Sequence, residues 1–174
     1  LHLLEVAERV RRIASEKGFD KADWDENFVQ KLAFVVTELD EAVQGAKGIG
    51  KDPVELELAD VAIRLLACLY GVSGTSWSPG RIEGRRSPER IGVWQPIEVA
   101  VWPILRKVSE AIECWRKNDP EIGRKDAMIC CELALLETFR LADRMGIDLL
   151  SIIELKTIAN AARPHLHGKG RSVG

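Results

Sequence analysis

Residues 61–70, VAIRLLACLY, and 126–145, DAMICCELALLETFRLADRM, decide the fold class. Both runs space their apolar residues by three and four rather than two, and neither has the β-branched density or the turn residues of a strand. The same period recurs outward along nearly the whole chain, so the sequence predicts an all-α protein, a helical bundle. Its 174 residues suit one domain with one sizeable core. Lys and Arg number 25 against 27 Asp and Glu, a net charge of −2 that gives no positive field for gripping nucleic-acid phosphates. No apolar run approaches the ~18 residues that cross a bilayer. Glu5 and Glu8 within the first twelve residues are foreign to a secretory leader. A soluble, cytoplasmic chain without nucleic-acid or membrane partners is therefore expected. Cys68, Cys114, Cys130 and Cys131 sit in apolar helical stretches without a CxxC pair and histidine partner, and read as small hydrophobes in a reducing compartment.

Stop and start signals divide the chain. A first helix spans Leu1 to Lys17, with Leu3, Val6, Val10 and Ile13 on one stripe, and stops at Gly18. A second runs from Glu26 to Gly45. The third opens at Asp52-Pro53, where Asp52 is placed to cap free amides and Glu55 to complete a capping box, and ends at Gly71. Residues 72–95 hold Gly, Ser, Pro and four arginines without a helical period, and read as a flexible connection. Helices resume from Pro96 or Pro103 to Lys117, from Asp119-Pro120 to Met145 and from Asp148 to Ala162.

The two halves resemble each other. VTELDEAV at 36–43 matches VSEAIECW at 108–115, and each half then passes an Asp-Pro start to a helix ending in glycine, LACLYGV or LADRMGI. An internal duplication follows, with repeat one over 1–71, the connection over 72–95 and repeat two over 96–174. A helix pair cannot bury its apolar stripe alone, so two such units would pack as a covalent pseudo-dimer, monomeric or further associated. Chance similarity between amphipathic helices is the alternative.

The chemistry concentrates in repeat one. Glu38 and Glu41, three apart, share a helix face that Asn27, Lys31 and Phe34 continue; Glu57 and Asp60 repeat the spacing on the next helix, followed by Arg64. If the helices pack side by side, four carboxylates meet at one level. Such a cluster repels itself in a partly dry site, and a divalent cation resolves the conflict. Ligation by oxygen alone favours Mg²⁺, with Mn²⁺ the other candidate. Glutamates at this spacing are also common on solvated faces, but VVTELDEAV and ELELADVAIRLL set these acids among dense apolar residues, where an idle acid is costly.

TELDEA, with fifteen residues between its Glu41 and the Glu57 that opens ELADVAIRLL, resembles the MazG-like all-α nucleoside triphosphate pyrophosphatase superfamily, whose signature is EExxE followed by ExxD. The stretch ELKTIANAARPHLHGK is similar to the tail of many members, which read K, N, RP and HGK. The duplicated members, the dimeric dUTPase type among them, resemble the two-half layout. The resemblance implies Mg²⁺-dependent hydrolysis of a (deoxy)nucleoside triphosphate to the monophosphate and pyrophosphate, in nucleotide-pool sanitation. By position it implies Glu38, Glu41, Glu57 and Asp60 as catalytic metal ligands, and Lys156, Asn160, Arg163 and Lys169 as tail residues that hold phosphate.

Thr37 stands where the family has the first Glu of EExxE, which leaves Glu38 or Glu41 to orient the attacking water. Repeat two keeps Glu110 and Glu113 but breaks the quartet, so one site per chain is expected. Trp24, Asn27, Lys31 and Phe34 are candidates for substrate binding, with core packing the alternative for the aromatics. His165, His167 and the arginines of 81–90 read as surface, with phosphate contact or a lid as alternatives. Two other functions compete: a non-catalytic helical interaction protein with a degenerate site, and a hydrolase of another phosphorylated nucleotide.

Overall fold

Four apolar residues one turn apart make a helix bury one side, and Leu3, Val6, Val10 and Ile13 are all buried along α1 (Leu3–Glu16). The computed structural model describes residues 3–19, 24–84, 95–117 and 119–164. No strand occurs among them, and no helix there is long and apolar enough to cross a membrane.

The hairpin that carries the acids consists of α2 (Trp24–Ala46) and α3 (Val54–Ser73). Its turn is closed around missing side chains. A Cβ on Gly45 would stand 2.6 Å from the Asp52 carbonyl oxygen, and one on Gly50 would stand 2.7 Å from the Gly45 nitrogen. This close approach fixes the register of the two helices and hence the level at which Glu41 meets Glu57. The expected capping box is not formed. Pro53, extended at φ −72° and ψ 155°, is the residue before α3, and no side chain caps it. The helix starts one residue later than placed, which leaves Asp52 too far from the free amides; the Leu56 and Glu57 amides donate to the Pro53 carbonyl instead. At its other end α3 runs two residues beyond Gly71 and stops where Gly74 takes φ +56°.

The connection expected to be flexible is built into the core over its first half. A 3-10 turn at Gly74–Ser76 leads to α4 (Gly80–Glu83), with Trp77 and Ile82 buried and the Leu3 amide donating to Glu83 Oε1 at 2.8 Å. Two large apolar side chains outweigh the Gly, Ser and Pro around them. Residues 85–94 lie outside the described part.

Two prolines of the second half open helices at its start: Pro96 precedes α5 (Ile97–Ala100), and Pro103 lies in the first turn of α6 (Trp102–Lys117). In α7 (Pro120–Met145) the Asp-Pro start works as its chemistry suggests, with Asp119 accepting from the Glu121 amide at 3.0 Å, and left-handed Gly146 ends the helix. The last helix is α8 (Leu149–Ala162). The four long helices form a closed ring in which α2 packs on α3, α3 on α7, α7 on α6 and α6 on α2. Phe28 and Trp115, with centroids 4.0 Å apart, stack across the α2–α6 seam. Phe28, Leu65, Leu66, Ile104, Leu135 and Phe139 fill the centre. Cys68 and Cys131 lie within it, whereas Cys114 and Cys130 are half-buried. Helix α8 lies across α3 and α1, which brings the last helix to the acid hairpin.

If residues 77–83 are a core element, Ile82→Ala opens a cavity and lowers unfolding free energy by about 2–5 kcal/mol. Chemical denaturation measures this, and a loss below about 1 kcal/mol would show the strap to be peripheral.

Candidate metal centre

The register of the α2–α3 hairpin brings one carboxylate oxygen each from Glu38, Glu41 and Glu57 within 4.8 Å of one another. Hard dications hold oxygen ligands at about 2.0–2.6 Å, so oxygens on opposite sides of one ion lie at a similar spread. Glu38 is 9% exposed and Glu57 only 4%, while Glu41 faces solvent. This is the only group of three potential metal ligands among the described residues.

The fourth acid of the expected quartet is engaged elsewhere. Asp60 accepts from Lys156 Nζ of α8, which also donates to the Leu56 carbonyl at 3.0 Å. Both side chains are largely buried. On the other flank Arg64 donates from Nε at 3.1 Å and from Nη2 at 3.0 Å, both to Glu38 Oε1, and its guanidinium lies 5.2 Å from the Phe34 ring centroid. Three clustered acids thus have a cation at either side.

Burial and mutual repulsion act on this cluster together. Burial is the largest cause pushing the Glu57 carboxyl up to about 7; Glu41 and Asp60 add repulsion, and Lys156 opposes them. No described residue donates a hydrogen bond to that carboxylate. The Glu38 carboxyl is also raised by burial, against the pull of Arg64. A cation among these oxygens would relieve both effects, and the all-oxygen donor set suits a hard one.

Of the candidate substrate-binding residues, Lys156 reaches the acids, at Asp60. Asn160 is half-buried one turn further along α8, and Arg163, exposed, follows its end. Lys31 leaves the row: its ammonium donates to the Phe19 carbonyl at 2.8 Å and ties down the α1–α2 connection, two helical turns from Glu38. Asn27 is half-buried one turn before it. Phe34, expected in a base pocket or in the core, is 41% exposed and underlies Arg64; Phe28 is the core aromatic. The Trp24 side chain, His165, His167 and Lys169 lie outside the described residues. Thr37 turns its hydroxyl to the Phe34 carbonyl at 2.8 Å, so nothing replaces the missing glutamate there.

Arg64 was noted in sequence only as the residue following the acids. Only the hairpin register shows that it serves Glu38. In the second half, Glu110 pairs with Arg106 and Lys107, and Glu113 with Arg116 and Lys117, all on α6. Glu132 on α7 reaches Arg81 of the strap at 3.7 Å, and Arg81 itself is exposed, as expected of a surface arginine.

No family model, no curated protein and no solved structure matches the chain.

A carboxyl whose folded value lies above its ordinary one stabilises the fold while protonated; for Glu57 that contribution is complete below 4.5 and lost as pH rises through about 7. In chelator, the melting temperature should therefore fall between about pH 5 and about pH 8, and Glu57→Gln should flatten the fall. An unchanged slope in the variant would show that Glu57 titrates normally.

Proposed function

We propose that this chain is a Mg²⁺-dependent nucleoside triphosphate pyrophosphohydrolase of the MazG-like type, built from two degenerate repeats with one active site. The observation that carries the reading is the meeting of buried Glu38 and Glu57 with solvent-facing Glu41 at one hairpin level, with Lys156 arriving at Asp60 from 96 residues away. The family resemblance pairs those same two sequence regions. The ring of α2, α3, α7 and α6, in which each hairpin packs on the other, is compatible with the duplicated layout.

When bound, a hard dication neutralises polyphosphate charge and lowers the pKa of a coordinated water. Glu38, Glu41 and Glu57 would hold it, Asp60 completing the set once Lys156 leaves it. With Thr37 in place of the first glutamate and Glu38 tied to Arg64, Glu41 is the acid placed to accept a proton from the attacking water. Attack at the α-phosphorus forms the new P–O bond as the bond to the β-phosphate oxygen breaks, giving monophosphate and pyrophosphate. Lys156, with Asn160 and Arg163 further along α8, supplies donors for the phosphates. Apolar Leu39, Ala42, Leu58 and Ala59, all buried beside the acids, keep bulk water from screening these charges.

Release of pyrophosphate from a panel of ribo- and deoxyribonucleoside triphosphates with Mg²⁺ tests the reading. Turnover of at least one nucleotide is expected, abolished by chelator and reduced about 10²- to 10⁴-fold in Glu41→Gln. No turnover of any triphosphate, or equal turnover by Glu57→Gln, overturns it. Turnover of a different phosphorylated nucleotide alone would retain the metal centre and replace the substrate.

A further inference from the structure

The charges around the hairpin do not balance. Fully ionised, Glu38, Glu41, Glu57 and Asp60 carry four negative charges, and the cations in contact with them, Arg64 and Lys156, carry two positive ones. The remainder equals one divalent cation. Arg64 also differs from a structural ion-pair arginine. Its two hydrogen bonds fall on a single oxygen of Glu38, which leaves Oε2 for another partner. The carboxylate side chain is 11% exposed whereas the guanidinium side chain is 44% exposed. The guanidinium is backed by the half-exposed Phe34 ring, which holds its plane without consuming its donors. A planar fork with donors to spare, fixed at the rim of an acidic cluster, matches the bidentate recognition of phosphate oxygens.

We propose that Arg64 is a phosphate-binding residue held in reserve by Glu38: a divalent cation that takes over the acids releases Arg64, as it releases Lys156 from Asp60, to the phosphates of an anionic ligand. The inference rests on the metal-site reading above and adds a residue and an order of events to it. Without the dication the two cations are occupied by protein carboxylates, so the site has little attraction for phosphate. With it, the acids are neutralised by the ion and both cations need new anionic partners. Asp60 and Arg64 are four residues apart on α3, about 6 Å of axial rise, so Lys156 and Arg64 would meet a ligand about one helical turn apart.

The test uses the full chain, Mn²⁺ followed by electron paramagnetic resonance, and inorganic pyrophosphate as the anionic probe. Wild type should bind Mn²⁺, and saturating Mn²⁺ should raise its affinity for pyrophosphate. Arg64→Gln should bind Mn²⁺ alone as tightly as wild type or more tightly, because a competing cation has been removed. Its affinity for pyrophosphate in saturating Mn²⁺ should fall about 10- to 100-fold. Arg64→Lys, which keeps the charge without the fork, should recover part of that loss. Weaker Mn²⁺ binding by both variants in the absence of pyrophosphate would overturn the proposal and make Arg64 a scaffold for Glu38. Pyrophosphate affinity equal to wild type in Arg64→Gln would overturn it by showing that the arginine does not touch phosphate. If wild type fails to bind Mn²⁺, or Glu57→Gln binds it equally, the metal-site reading itself fails.

Discussion

Electrostatic repulsion among carboxylates, confined at one level of a helical hairpin, is the constraint around which this molecule is arranged. Glu38 and Glu57 are almost wholly out of water, and Glu57 lacks any described hydrogen-bond donor. Ionised groups in that setting cost several kcal/mol each unless compensated. The compensation comes from distant parts of the chain. The glycine turn sets the level, Arg64 reaches across the hairpin, and α8 lies over α3 so that Lys156 reaches Asp60. An apolar pair of helices would pack more favourably in the same place. Repulsion of this kind would turn into attraction for any cation placed among the same oxygens.

The fold was legible because periodicity is a local property. The stripe on α1 is buried as spaced, and the helices of the second half begin at their prolines and at Asp119. Two misreadings have physical causes. Asp52-Pro53 and Asp119-Pro120 are the same dipeptide, yet only Asp119 caps, because α3 begins one residue beyond Pro53 while α7 begins at Pro120. In the 72–95 segment, composition pointed to a loop, but Trp77 and Ile82 find space against α3 and α7 and are buried. Turn-forming residues report where a helix is discouraged and do not report whether a side chain nearby can reach the core.

The site was legible only in part, since spacing puts residues on one face but does not say who lies opposite. That Glu38 and Glu41 share a face, and Glu57 and Asp60 another, followed from helix geometry alone. Lys31 lay on the same projected stripe, yet a stripe on a helical wheel crosses several neighbours along its length, and at the level of Lys31 the ammonium meets the Phe19 carbonyl. The Lys156–Asp60 pair spans too much sequence for any local pattern; the tail motif hinted at it through resemblance, with no physical path from the residues. Arg64 shows the reverse case. In sequence it only followed the acids, and the register of two helices, set by Gly45 and Gly50, directed it to Glu38.

The two halves show why the same motif has two electrostatic outcomes. In VSEAIECW, Glu110 has Arg106 and Lys107 four and three residues before it, and Glu113 has Arg116 and Lys117 three and four residues after it. Those pairs are closed on the surface of α6, where exposed ion pairs contribute little and demand nothing from the rest of the chain. In VTELDEAV the corresponding places around Glu38 and Glu41 hold Phe34, Val35, Thr37, Ala42, Gln44 and Gly45, and those around Glu57 hold Pro53, Val54, Asp60 and Val61. None is basic. Glu38, Glu41 and Glu57, with no cation three or four residues away on their own helix, must take their counter-charge from another element or from solution. Here other elements supply two cations against four acids. The identity of the residues three and four positions away, more than the glutamates themselves, separates a solvated helix face from a centre with room for a divalent ion.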